Sequence, residues 1–468
     1  MLLEKSRLRS LLSNKDGIGH RLMRGAGATA LGPIIAAIVQ LGMVPLLLHV
    51  WGAAKYGDWL LLSAVPSYLT LSDLGFGNAS GSDMCIRVAA DDRMGALQTF
   101  QSSWVLVTSV SCLTLLLAFL CVWRIPWQQW LNLSSVSNMQ AATIMMVLGA
   151  QVVISQQINV AESAYRSDGN FATGTFWLGM LRLAEAVTAT TIAVLGGNLL
   201  AVACAYLIVR CVGTVGYILK LRHLSPWIRY GIRYARLKTV RQLAAPAVGF
   251  MTMPVGYALN QQVLLIVIGG RLGSVAVAAF STLRTLSRVS SQLINTTKLA
   301  LLPELSRAFG EGNISLARRL HRHACRASLG LSVLGGMFLW LVGPTIYRLW
   351  IRQGILFDAT CFHVLLLVAV TNSLWDTSSV LPMSINAHLR IAVAYSATAL
   401  LSVGLAWILI PHLGIAGAAI ALVATDGCMT GFVLRTSLYH VQDKFKDFIA
   451  SLFVIPRFWQ TLPTAPKA

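Results

Sequence analysis

Residues 391–425 read IAVAYSATALLSVGLAWILIPHLGIAGAAIALVAT and contain no Lys, Arg, Asp or Glu. A bilayer crossing takes about 20 apolar residues, so this stretch is too long for one span and fits two. Pro411 and Gly414 supply the break between them. Two apolar helices joined by a four-residue turn make a polytopic membrane protein. Outward along the chain the same signature recurs. Residues 25–54, 94–123, 125–161, 186–209, 242–270 and 327–347 are also free of charge. The reading is an all-α polytopic membrane protein with about twelve transmembrane helices. They fall near 27–50, 58–78, 102–124, 140–163, 172–195, 199–220, 244–268, 275–302, 327–350, 361–386, 391–411 and 415–437.

Composition agrees. Of 468 residues, 56% are hydrophobic and only 12% charged. A soluble domain carries about 25% charged residues, which excludes an ordinary globule, a disordered chain and a coiled coil. The net charge is +20, from 37 Lys and Arg against 17 Asp and Glu. On a soluble chain that suggests nucleic acid; here it reads as basic cytoplasmic loops and no nucleic-acid partner. With the N-terminus inside, the inner segments hold 27 cations, the outer segments 5, and the spans the other 5. Both termini are therefore expected in the cytoplasm. Residues 1–24 carry six cations among leucines and read as a basic amphipathic segment on the membrane surface. The eight cysteines form no C-x-x-C and no zinc spacing, so neither a metal nor a cofactor is expected.

The largest basic block lies at 220–241 and divides the chain. On either side, marks recur. Lys55-Tyr56-Gly57 answers to Arg271-Leu272-Gly273, Trp130-Leu131 to Trp350-Ile351, and Arg166 to Arg390, at offsets of 216, 220 and 224. The expected organisation is a segment 1–24, a six-helix half 25–220, a basic linker 221–243, a second six-helix half 244–437 and a cytoplasmic tail 438–468. Six is even, so the halves are parallel repeats around a central cavity.

Catalysis has little to stand on. There is no GxGxxG after a strand, no GxxxxGK[ST] and no HExxH. What stands out is charge at depth. Arg182 and Glu185 fall in the fifth span, Arg210 in the sixth, Arg284, Arg288 and Lys298 in the eighth, Asp376 in the tenth and Asp426 in the twelfth. Each central charge costs roughly 2.5–3.5 kcal/mol on insertion scales, so such residues face a cavity or one another. In the eighth span Arg284, Arg288, Ser291, Asn295 and Lys298 follow steps of 4, 3, 4 and 3 and share one helix face. Two arginines one turn apart repel unless an anion lies between them. The stripe suits phosphate oxygens, with Arg182 and Arg210 as further candidates. Its alternative is a set of staples to Glu185, Asp376 or Asp426. Those three acids are also candidates for carrying a coupling proton or Na⁺. Arg182 and Glu185, three residues apart, can pair within their helix. Pro254 permits a bend in the seventh span beside Asn260 and Gln261, and Pro33 and Pro45 do so in the first, beside Gln40.

At this point the chain resembles the bacterial polysaccharide and O-antigen flippases, the lipid-linked oligosaccharide branch of the multidrug/oligosaccharidyl-lipid/polysaccharide exporter superfamily. The carrying residues are Tyr56-Gly57-Asp58-Trp59, then Asp73-Leu74-Gly75-Phe76-Gly77, and the turn Pro411-His412-Leu413-Gly414-Ile415-Ala416-Gly417-Ala418-Ala419. The resemblance implies an inner-membrane flippase, not an enzyme. It would carry an undecaprenyl-diphosphate-linked oligosaccharide from the inner to the outer leaflet by alternating access, with a polysaccharide polymerase downstream. Ion-coupled drug or small-solute antiport, of the multidrug exporter or major facilitator type, is the rival reading.

Overall fold

A computed structural model describes residues 18–351, 355–385, 387 and 389–453. Side chains are described from residue 38 onward, apart from 290–297, 299, 300 and 303. Among the described residues all regular structure is helical. Residues 1–17 of the expected basic N-terminal segment, and 454–468 of the expected tail, lie outside the described residues.

The first helix, α1, runs Ile18–Ala64, 47 residues. At 1.5 Å per residue that is about 70 Å, more than twice a bilayer core. It is not one rod, because Gly52 (φ 72°, ψ 170°) breaks it. The chain then tightens into a 3₁₀ segment Pro66–Asp73, and the Asp73 carboxylate accepts from the Gly75 N–H (2.6 Å) at the start of α2, Phe76–Ala89. There follow α3 (Arg93–Val122), α4 (Asn138–Ser167), α5 (Phe171–Val194) and α6 (Leu199–Leu224). Their first turns are capped as the sequence allows. Asp92, Ser137 and Asn198 accept from backbone N–H groups of Gly95, Gln140 and Ala201. The second half holds α7 (Leu237–Leu272), α8 (Ser274–Ser287), α9 (Val289–Gly310), α10 (Ile314–Ile351), α11 (Ala359–Ser384), α12 (Leu389–Leu413) and α13 (Ile415–His440). A short helix, α14, Phe445–Phe453, closes the described chain.

Ten described helical segments are long and apolar enough to cross a membrane. The sequence anticipated about twelve spans, and the two counts differ for physical reasons. The first two spans fall in one continuous segment, Ile38–Ala89. The eighth, rich in charge, divides at Arg288 into α8 and α9. Helices α1–α6 and α7–α13 form two halves. Their internal likeness extends to the backbone. Gly273 (φ 84°, ψ 176°) separates α7 from α8, and Gly52 (φ 72°, ψ 170°) breaks α1 with a similar backbone, although the sequence match to Gly273 is Gly57. A side chain at either position is strained in this left-handed region.

Packing differs between the two ends. At the end carrying Asp58 and Trp350, one buried cluster runs through both halves, joining Leu61, Leu62 and Leu131 to Ile268, Phe280 and Phe362. At the basic end the clusters separate. Phe100, Tyr165 and Tyr217 form one, and Leu305, Ala317 and Leu381 another. Around the flanks, large apolar side chains such as Leu116, Leu117, Phe338 and Leu401 are half or more exposed. That surface suits hydrocarbon, not water.

Candidate functional site

A cavity of about 420 Å³ lies between the halves. From the first half, Gln40, Met43, Tyr56 and Trp59 line it; from the second, Gln261, Arg284, Thr285 and Arg288 do. The Gln40 amide crosses the gap and donates to Thr285 Oγ1 (3.2 Å). A smaller space of about 60 Å³ adjoins it within the second half, between Asn260, Asn372, Tyr395 and Asp426. Gln261, Arg284 and Arg288 border both.

The two arginines are the site's most informative feature. Arg288 sits at the break between α8 and α9 (φ −84°, ψ −5°) and is exposed to the opening. Arg284, one turn earlier, is half-buried with its guanidinium 5.3 Å from the Phe280 ring centre. Among the described residues neither forms an ion pair. Two adjacent guanidinium groups, with Asp426 across the smaller space but no carboxylate in ion-pair contact among the described residues, leave a net positive field at the centre of an apolar molecule. The break at Arg288 also divides the expected stripe. Lys298 lies on α9 and pairs with Asp376 of α11, away from both spaces. The side chain of Asn295 lies outside the described residues, as does that of Ser291.

The other candidates fall elsewhere. Arg210 of α6 pairs with Glu185 of α5 (2.7 Å), and the Gln151 amide approaches the same carboxylate (3.5 Å). The intrahelical Arg182–Glu185 pair is therefore not the one formed. Arg182 is exposed, and among the described residues it has no ion-pair partner. None of these three lines the central cavity. Asp426, 5% exposed, accepts from Trp375 Nε1 (2.8 Å) and Asn372 Nδ2 (3.4 Å). Facing it, Asn260 donates to the Tyr395 hydroxyl (3.1 Å), while its own buried side-chain carbonyl oxygen has no hydrogen-bond partner among the described residues. Asn260 stands in a π-helical turn, Leu259–Val263, that interrupts α7. Such turns come from one extra residue in the helix and cluster at functional positions. Among the described residues no group of three or more His, Cys, Asp or Glu side chains is placed to hold a metal ion.

Asp58 was read only as part of a motif, and its role was not foreseen. It is fully buried at the closed end. Its carboxylate accepts from the Ser135 N–H (2.6 Å), the Ser135 hydroxyl (2.5 Å) and the Ser134 N–H (3.2 Å). The fourth donor is the Ser274 hydroxyl, at the start of α8 in the other half. Gly57 makes the approach feasible, since a Cβ there would lie 1.8 Å from the Ser274 carbonyl oxygen. A second tie across this end is Trp350 Nε1 to the Leu41 carbonyl (2.8 Å).

This two-lobed arrangement has solved counterparts. A structure described as the inward-facing conformation of a multidrug resistance MATE family transporter of the MOP superfamily superposes with a TM-score of 0.72 at 15% identity, covering 87% of this chain and 98% of that one. The lipid II flippase MurJ in an inward closed conformation gives 0.71 at 14% identity, over 90% of this chain and 89% of that one. The outward-facing conformation of a multidrug resistance MATE family transporter gives 0.56 at 16% identity, over 89% and 98%. The chain shares their fold. No protein-family model matches it, and no curated protein matches it in sequence.

Proposed function

We propose that the chain is a flippase for an anionic, lipid-linked oligosaccharide, an undecaprenyl diphosphate in chemical class, working by alternating access in the bacterial inner membrane. The observation that carries this reading is the pair Arg284 and Arg288, which border the cavity between the halves and, among the described residues, form no ion pair. A diphosphate offers oxygens to both guanidinium forks at once. Gln40, Gln261 and Thr285 are uncharged and suit sugar hydroxyls, and Trp59 and Tyr56 add ring faces. The likeness to MurJ, named as a lipid flippase, supports the task. The inner-end opening, and the better fit to an inward-facing than to an outward-facing neighbour, support a resting state open to the cytoplasm.

Asp426 is the leading coupling group in this reading, to a proton or Na⁺, since it lies one small pocket away from Arg288. Asp376 and Glu185 are each tied to a cation, Lys298 and Arg210, and their coupling would require those pairs to open. Lys298, Arg182, Arg210 and Asn295 would touch substrate only in other states of the cycle. Drug or small-solute antiport is the second reading, favoured by the MATE likeness and by the acid at Asp426.

The test is genetic. The gene is deleted in its host and restored as wild type, Arg288→Ala or Arg288→Lys, and inner-leaflet lipid-linked oligosaccharide is measured against surface polysaccharide. Accumulation of the lipid-linked unit with loss of surface glycan, in the deletion and in Arg288→Ala at normal expression, is the expected result. Unchanged surface glycan together with a drug-sensitivity phenotype would transfer the assignment to antiport.

A further inference from the structure

The segment joining the two halves is pinned to the first of them. Residues 225–236 lie against α3 and the turn between α4 and α5. Gln101, 2% exposed, donates to the Arg229 carbonyl (2.8 Å) and accepts from the Tyr234 N–H (2.8 Å). The Ser102 hydroxyl accepts from the Arg236 N–H (2.9 Å). Asp168 accepts from Trp227 Nε1 (3.1 Å) and from the Ser225 hydroxyl. Ile228 is buried, and Tyr230 meets Phe100 and Trp104 edge-on. One side of this strap is therefore a packed interface.

Its other side is different. On the strap Arg229, Arg233 and Arg236 are exposed, as are Arg222 near the end of α6 and Lys238 and Arg241 near the start of α7. Among the described residues none of the six forms an ion pair. Between them Ile232 and Leu237 stand 76% and 65% exposed. A water-facing surface gains nothing from bare aliphatic side chains among unopposed cations. A bilayer surface accommodates both, with phosphates for the guanidinium groups and the acyl boundary for the aliphatics. The loop count places these cations on the cytoplasmic side.

We propose that the strap is a preformed docking site for anionic phospholipid headgroups of the cytoplasmic leaflet, which anchors the N-terminal half while the C-terminal half moves against it. An orientation signal needs only the charges. A docking site also needs their arrangement, which Gln101 maintains from behind.

The test uses the full chain purified in detergent, with phosphatidylglycerol and phosphatidylcholine binding read by native mass spectrometry. Wild type should retain phosphatidylglycerol over phosphatidylcholine. Removing three surface cations in R229Q/R233Q/R236Q should weaken phosphatidylglycerol about a hundredfold. Ile232→Ser and Gln101→Ala should weaken it with every cation still present; a cooperative thermal transition above the assay temperature confirms that each variant is folded, Gln101→Ala melting somewhat lower for its lost hydrogen bonds. Equal binding of the two lipids, or phosphatidylglycerol binding that survives the triple variant, would overturn the proposal. So would displacement of phosphatidylglycerol by an equimolar prenyl diphosphate, which would assign the strap to the transported lipid.

Discussion

At the residue scale, the same chemistry meets two fates. Arg210 is 14% exposed and has a carboxylate at 2.7 Å; among the described residues Arg284 and Arg288 have none in ion-pair contact. The first is structural. Breaking a buried pair by removing one partner strands the other charge and costs about 3–5 kcal/mol, while an apolar pair of similar volume is often neutral. Glu185→Gln alone should therefore lower the melting temperature, and Glu185→Gln with Arg210→Met should recover most of it. Arg288 should behave in the opposite way. Arg288→Ala removes a repulsion with Arg284, so the fold should keep or gain stability while transport falls. A charge-assisted hydrogen bond is worth about 1.5–3 kcal/mol, which is a loss of roughly 10- to 150-fold in substrate affinity. Arg288→Lys keeps the charge without the fork and should fall between, measured as lipid-linked oligosaccharide bound by purified protein. The sequence shows that these charges are deep, but not which ones meet. Arg182 lies one turn from Glu185, yet Arg210, a helix away, takes the carboxylate. That choice depends on the rotation of α5 against α6, which spacing along a chain does not encode.

At the element scale, α7 belongs to both halves. Leu243 and Ala247, near its start, are buried in the cluster of Phe100 and Tyr165 in the first half. Further on, Gly256 lies against Tyr395 of α12, and the Ser396 hydroxyl donates to the Thr252 carbonyl (2.8 Å). Pro246 falls within the first attachment and Pro254 within the second, and just beyond them comes the π-helical turn. Each proline removes a helical hydrogen bond and crowds the preceding turn. A helix fastened at both ends to bodies that separate must bend in between. The Pro254 ring is exposed, so Pro254→Ala loses little packing and regains a hydrogen bond. The variant should melt higher than wild type and transport more slowly, read by thermal unfolding and by flipping in liposomes. A joint fall in both would mean that the ring itself packs the fold. The proline was legible in the sequence as a place that permits a bend; the π-helical turn was not, because one extra residue leaves no compositional trace. The break at Arg288 escaped for a related reason. Helical spacing from Arg284 to Lys298 is regular, and only packing against α11 reveals that α9 starts afresh there.

At the scale of the whole molecule, the two ends are unequal in what holds them shut. The apolar flanks, the near-repeat of 216 to 224 residues and the basic loops were all readable, because each is a pattern along the chain. The closure was not, because it depends on where Asp58 and Ser274, 216 residues apart, arrive in space. That offset is the repeat itself, so the two residues occupy corresponding places in the two halves and meet across the pseudo-axis. A fully buried carboxylate that receives four donors, one of them from the opposite half, is a tie that must be undone for this end to open. Ser274→Ala removes the only one of those donors that crosses between halves and leaves the three from Ser134 and Ser135. One hydrogen bond to a charged group is worth about 1.5–3 kcal/mol, enough to shift a two-state population by roughly 10- to 150-fold. The expected outcome is a greater share of molecules open at the Asp58 end. Double electron–electron resonance between spin labels at the exposed Trp130 and Leu356 positions, in a background without other cysteines, would read it as growth of a longer distance. Asp58→Asn should do more, because it weakens the anchoring within the first half and the crossing bond together. An unchanged distance distribution in both variants would show that the Asp58 tie is dispensable and that the apolar cluster around Leu61, Ile268 and Phe280, with the Trp350–Leu41 bond, keeps this end closed.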